Sequence, residues 1–121
     1  MATPATVSGY NTYSVLAQNS ENTGTIKSSG GRVYGWSIFN VAATPRYVKL
    51  YDTANPTRDI TPKVRIGINS PGTANGGSSS ESFPDGIAFP AGIGIRIVTG
   101  IGDNDSIAPT ANDVAVNIFY K

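Results

Sequence analysis

The chain contains no histidine and no cysteine. Histidine is the usual general base and metal ligand near neutral pH, and cysteine is the soft nucleophile and thiolate ligand, so Ser-His-Asp, Cys-His and zinc-type centres cannot be built. Only carboxylates remain for acid–base work: Glu21, Glu81 and six aspartates, mostly in segments that read as turns. The densest cluster is Asp103-Asn104-Asp105 in GIGDNDS, whose D-x-D spacing suits a hard cation such as calcium. The rest of an EF-hand pattern is missing, and Asp and Asn are also the residues that cap their own backbone in tight turns, so the turn reading is preferred. GGSSS after Asn75 lacks the Lys and the following helix of a phosphate loop, and the G-x-G of AGIGIRIVTGIG sits inside a β-alternating run where it signals close backbone packing. Asn104-Asp105-Ser106 fits the glycosylation sequon, which carries no weight without a secretory leader. The expectation is a protein with no catalytic residues, no metal ligands and no cofactors.

Aromatic side chains offer a different chemistry, because their faces stack on sugars, bases and other proteins. Tyr34 and Trp36 lie in the most apolar run of the chain and read as core or subunit-interface residues. Tyr47 and Tyr51 share one face of a strand with Lys49, and an exposed Tyr-Lys-Tyr face resembles the centre of a protein interface. Tyr10, Tyr47, Lys49 and Tyr51 are therefore the candidate partner-binding residues.

The elements that must carry these residues are strands. Fourteen Gly, eight Pro and a charged fraction of 14%, with Ile, Val, Thr and Tyr in abundance, fit a turn-rich β protein. Strands are expected over Thr12 to Gln18, Gly24 to Ser28, Arg32 to Ala42 (with a bulge or bend at Gly35), Arg46 to Asp52, Lys63 to Asn69, Ile93 to Val98 and Asp113 to Lys121. Period-two alternation selects Val48, Leu50, Val64, Ile66, Ile68, Ile95, Val114, Val116 and Ile118 for a shared core, with Lys49, Arg65 and Asn117 facing the other way. Pro71 to Ser82 reads as an exposed Gly/Ser loop. FPDGIAFPAG reads as an irregular crossing whose Phe83, Ile87 and Phe89 plug the core. Residues 1-12 are small and polar and read as an extended arm ahead of a single domain over 13-121. Seven to eight short strands in this length imply an all-β, two-sheet antiparallel sandwich, jelly-roll-like, with an immunoglobulin-like sandwich as the alternative.

Nine basic and eight acidic residues leave a net charge of +1 with no Lys/Arg cluster, which speaks against nucleic acid as the main partner. No basic leader opens the sequence, and no apolar stretch approaches the ~20 residues that span a bilayer, so the expectation is a protein made in the cytoplasm without a membrane partner.

Three segments taken together, GWSIFNVAATPRYVKLYDTANPT, FPDGIAFPAGIGIRIVTG and ANDVAVNIFYK, resemble the core of a family of small virion proteins of tailed phages. The resemblance runs from about Val33 to Lys121 and does not extend to the first thirty residues. It implies a structural β-sandwich without enzymatic activity that self-associates, as a trimer on threefold sites; the arm, too polar to fold alone, is expected to reach out and grip a neighbouring subunit. The absence of a coiled-coil or collagen-like shaft favours a capsid decoration (cement) protein, bound to the major capsid protein on the outer surface of the virion. The alternative is a receptor- or glycan-binding module of a tail or fibre, stacking sugar on Tyr47, Tyr51 and Trp36.

Overall fold

The computed structural model describes residues 9–72 and 77–121. Its elements are β1 (Asn11–Leu16), β2 (Gly24–Lys27), β3 (Gly31–Asn40), β4 (Arg46–Tyr51), β5 (Val64–Ile68), β6 (Ser78–Phe89), β7 (Ile93–Val98) and β8 (Val114–Tyr120). They form two four-stranded sheets in the orders β1-β8-β3-β6 and β2-β7-β4-β5. The pairing is nested and antiparallel: the first strand with the eighth, the second with the seventh, the third with the sixth and the fourth with the fifth. That is the jelly roll, one long hairpin folded over on itself, and it displaces the immunoglobulin-like alternative.

The alternation read from the sequence sets the register of the core. Of the nine residues assigned inward, eight are buried between the sheets and Val64 packs at the rim. Gly35 is where β3 shifts register against both of its neighbours. A side chain there would drive a Cβ to 2.5 Å from the Glu81 carbonyl oxygen, so glycine permits the bulge. Beside it, Trp36 lies over Phe83, ring centroids 5.3 Å apart, and its indole N–H donates to Ser79 Oγ at 3.1 Å.

Asn40 closes one end of the sandwich. Its amide nitrogen donates to the carbonyls of Thr44, Ile68 and Asn69 at 3.0–3.1 Å, and its oxygen accepts from the Ala42 N–H at 2.9 Å. One buried side chain thereby satisfies the backbone of the β3–β4 turn and the end of β5, joining the two sheets.

Two assignments change. Ser78 to Phe89, read as a loop followed by an irregular crossing, is the longest strand of the fold. Its small side chains carry little apolar signal, and its identity comes from hydrogen bonding to β3, with Phe39 opposite Ser78 and Gly31 opposite Phe89. The plug itself stands: Phe89 is fully buried, and Phe83 and Ile87 pack partly buried against the core. At the other end the first strand, expected from Thr12, begins one residue earlier, at Asn11, which was assigned to the arm alone. The rest of the arm, residues 1–8, and residues 73–76 of the Gly/Ser stretch lie outside the described residues.

Candidate functional site

The four candidate partner-binding residues fall on opposite sides of the molecule. Tyr10 leads into β1, at one end of the outer face of the β1-β8-β3-β6 sheet, and is 51% exposed. It stacks on Tyr34 with centroids 4.8 Å apart, and the Lys121 ammonium sits 5.4 Å from its ring centre. Tyr47, Lys49 and Tyr51 lie on β4, in the other sheet.

The exposed Tyr-Lys-Tyr face does not form. Lys49 and Tyr51 are fully buried, and only Tyr47 retains partial exposure, its ring over Gly67. The alternation placed them correctly away from the apolar core, but a second layer covers that side of the sheet. Trp36 is buried in the core as well, so the sugar-stacking set of Tyr47, Tyr51 and Trp36 shares no surface.

The covered face is electrostatically unusual. Arg96 on β7, Lys49 on β4 and Arg65 on β5 stand directly opposite one another in the ladder, a row of three cations across three strands. Like charges in cross-strand register repel, and the two inner members have lost their water, so the row requires compensation. The chain supplies it from two connections, residues 99–113 between β7 and β8 and residues 17–23 between β1 and β2.

Arg96 donates to Tyr51 Oη at 3.1 Å, to the Asp105 carbonyl at 2.6 Å, to the Asp103 carbonyl at 3.5 Å and, through a short ion pair, to Glu21. Lys49 donates to the Gly102 carbonyl. Arg65, at the surface, grips Asp103 with two bonds of 2.7 and 2.8 Å, and Arg58 holds the other oxygen of Glu21 at 2.9 Å. The Arg96 Nε stays without a hydrogen-bond partner among the described residues. The acidic turn singled out as a possible cation site thus serves as an anionic lid over three of the protein's own cations. Among the described residues no group of three His, Cys, Asp or Glu converges as metal ligands would.

These contacts set the protonation equilibria. Burial pushes the Glu21 carboxyl up, but the hydrogen bond and charge of Arg96, with Arg58 behind, outweigh it and hold the group below its ordinary value. The bidentate Arg65 holds the Asp103 carboxyl down likewise. Burial first, then the charge of Arg96, pulls the Lys49 ammonium down.

A carboxylate with a depressed folded-state pKa stabilises in full above its unfolded value, about 4, and that contribution disappears as the pH falls through the folded value. The lid is therefore expected to loosen below about pH 4 while the sandwich persists. Hydrogen exchange checks this: protection of the Thr99 amide, which donates to the Ile107 carbonyl, should collapse before that of the Val116 or Ile118 amides.

The outer face of the other sheet has the opposite character. Leu16, Ala115, Phe39 and Ser78 form one row across its four strands, and Ser14, Asn117, Ser37 and Ser80 the next. None of these positions is charged. In the second row Ser14 Oγ donates to Asn117 Oδ1 at 2.8 Å, and Asn117 Nδ2 donates to the Ser37 carbonyl at 3.2 Å. Leu16 and Phe39 are each half exposed, and Val41 just beyond is 68% exposed. Sequence reasoning missed this surface because its outward residues are a mixture of small polar and apolar types without a motif. The signal was there as an absence of charge at every second position from Ser14 to Leu16, Ser37 to Phe39 and Ala115 to Phe119.

A jelly-roll sandwich with one charged, self-covered face and an open face whose only charges, Arg32 and Lys121 among the described residues, stand at the Tyr10 end is the class of protein that fold and surface define. Comparison with known proteins finds no matching family model, no matching curated protein and no matching solved structure.

Proposed function

We propose that this chain is a capsid decoration protein of a tailed phage, acting without catalysis by binding the outer shell and bridging neighbouring major capsid subunits. The observation that carries the reading is the uncharged, partly apolar patch on the outer face of β1-β8-β3-β6, the two rows from Leu16 to Ser78 and from Ser14 to Ser80. Such a patch can be buried against another protein without desolvating ions, as the centres of protein interfaces are. The jelly roll supports it as a fold recurrent among capsid proteins, although lectin domains share it and the fold alone does not choose. The sequence resemblance over Val33 to Lys121 to virion proteins favours the capsid reading.

The second reading, a receptor- or glycan-binding module of a tail or fibre, draws on one observation: the exposed Tyr10–Tyr34 stack flanked by Lys121. Copy number in purified particles separates the two. Hundreds of copies per particle, lost together with shell stability on stripping and regained on adding the protein back, are expected of a decoration protein. A handful of copies located at the tail sinks that reading in favour of the second.

A further inference from the structure

Each sheet of the sandwich has two edges, and an open edge is a template for another strand unless something blocks it. Three of the four edge strands carry such blocks. β2 is four residues long, ends in Lys27 and shifts register between Thr25 and Lys27. β5 carries Arg65 and Gly67. β6 carries Glu81, Pro84 and Asp85. Each of these features charges, shortens or bends the free edge against a further strand.

β1 has none of these devices. Its sequence NTYSVL contains no charge, no proline and no glycine, and it holds six consecutive register pairs with β8 without a shift. Along this edge Tyr13 and Val15 pack against the core only partly buried, and Leu16 is half exposed.

We propose that the β1 edge pairs with the β1 edge of a second copy of this chain, antiparallel about a twofold axis, merging two four-stranded sheets into one of eight. A second copy fits because a twofold perpendicular to the sheet places residues of the same face opposite one another. Tyr13 and Val15 then meet the partner's inward side chains, and Thr12, Ser14 and Leu16 meet its outward ones. No charge anywhere in the strand is set against its like. The uncharged rows on the outer faces of the two sheets become one continuous surface. Main-chain hydrogen bonds supply affinity that so small a patch of side chains could not. The pairing stands independently of the virion reading, and its symmetry is twofold where the resemblance implied threefold.

The test is the solution mass of the full chain by sedimentation velocity and light scattering over a wide concentration range. A dimer is expected. Thr12 and Leu16 both point outward and are exposed, so Thr12→Lys/Leu16→Lys should fold normally, with an unchanged far-UV circular dichroism spectrum. It should nevertheless dimerise at least about tenfold more weakly, because it opposes cations across the axis. Mixing it with Thr12→Glu/Leu16→Glu should restore a heterodimer. In the unmodified chain, exchange protection of the β1 amides should rise with protein concentration. A monomer at every concentration, a trimer, a dimer unaffected by the lysine pair, or β1 protection independent of concentration would each overturn the proposal.

Discussion

Replacing Arg96 by methionine is expected to destabilise the protein by about 3 kcal/mol, read as a lowered urea midpoint at constant slope. Arg96 is completely buried, and its removal strips the Tyr51 hydroxyl, two loop carbonyls and the Glu21 carboxylate of their donor. Breaking one partner out of a buried charged cluster ordinarily costs about 3–5 kcal/mol. Two features hold the expected loss to the lower end. Glu21 keeps Arg58 and is itself partly exposed, and Lys49 is relieved of the cation directly opposite it. Exchange protection over residues 99–110 should fall further than that of the core strands, because the lid loses its main anchor. A variant that leaves lid protection intact would mean that Lys49 and Arg65 suffice to hold it.

Phe89→Ala is expected to cost about 3–5 kcal/mol, and Phe89→Leu about 1.5 kcal/mol or less, by the same measurement. Phe89 is fully buried at the end of β6, opposite Gly31, with the Lys63 ammonium 5.2 Å from its ring centre and the surrounding core rigidly set by Ile and Val side chains. β-branched neighbours have few alternative rotamers with which to fill the void, so the cavity term should be paid nearly in full. A domain of this size commonly has about 5–15 kcal/mol of total stability, and either change removes a large part of it.

The sandwich was legible where alternation is strict. In β4, β5 and β8 the Val, Leu and Ile positions fall on one side at period two, and burial follows that side. β6 was not legible, because its Ser-rich first half has no apolar side to announce it, Pro84 and Gly86 interrupt the second, and it is defined by pairing with the distant β3, Phe39 opposite Ser78 and Gly31 opposite Phe89, which no local pattern encodes. The candidate site was misjudged at Lys49 and Tyr51 for a related reason. Periodicity says which side of a sheet a residue occupies, not whether a distant segment covers that side. The cover here comes from Gly102, Asp103 and Asp105, more than fifty residues later in the chain than Lys49. A usable signal did exist: Lys49 and Arg96 sit in otherwise apolar strands, and a cation in such company calls for an acidic segment elsewhere, which GDNDS provides.

The nested pairing also governs when this chain can fold. Ser14 and Asn117, hydrogen-bonded neighbours in the finished sheet, are 103 residues apart in sequence. Since β8 is inserted between β1 and β3, those two strands cannot be joined into one sheet until β8 has been made and has left the ribosome's exit tunnel. Contacts this distant place the domain among slow folders, on the order of milliseconds to seconds. Throughout synthesis β1 and the inner edge of β3 wait without their shared partner. On a polysome, where nascent copies are crowded together, those waiting edges of two chains could pair with each other, so folding of each chain apart from its neighbours is the route that yields correctly closed molecules.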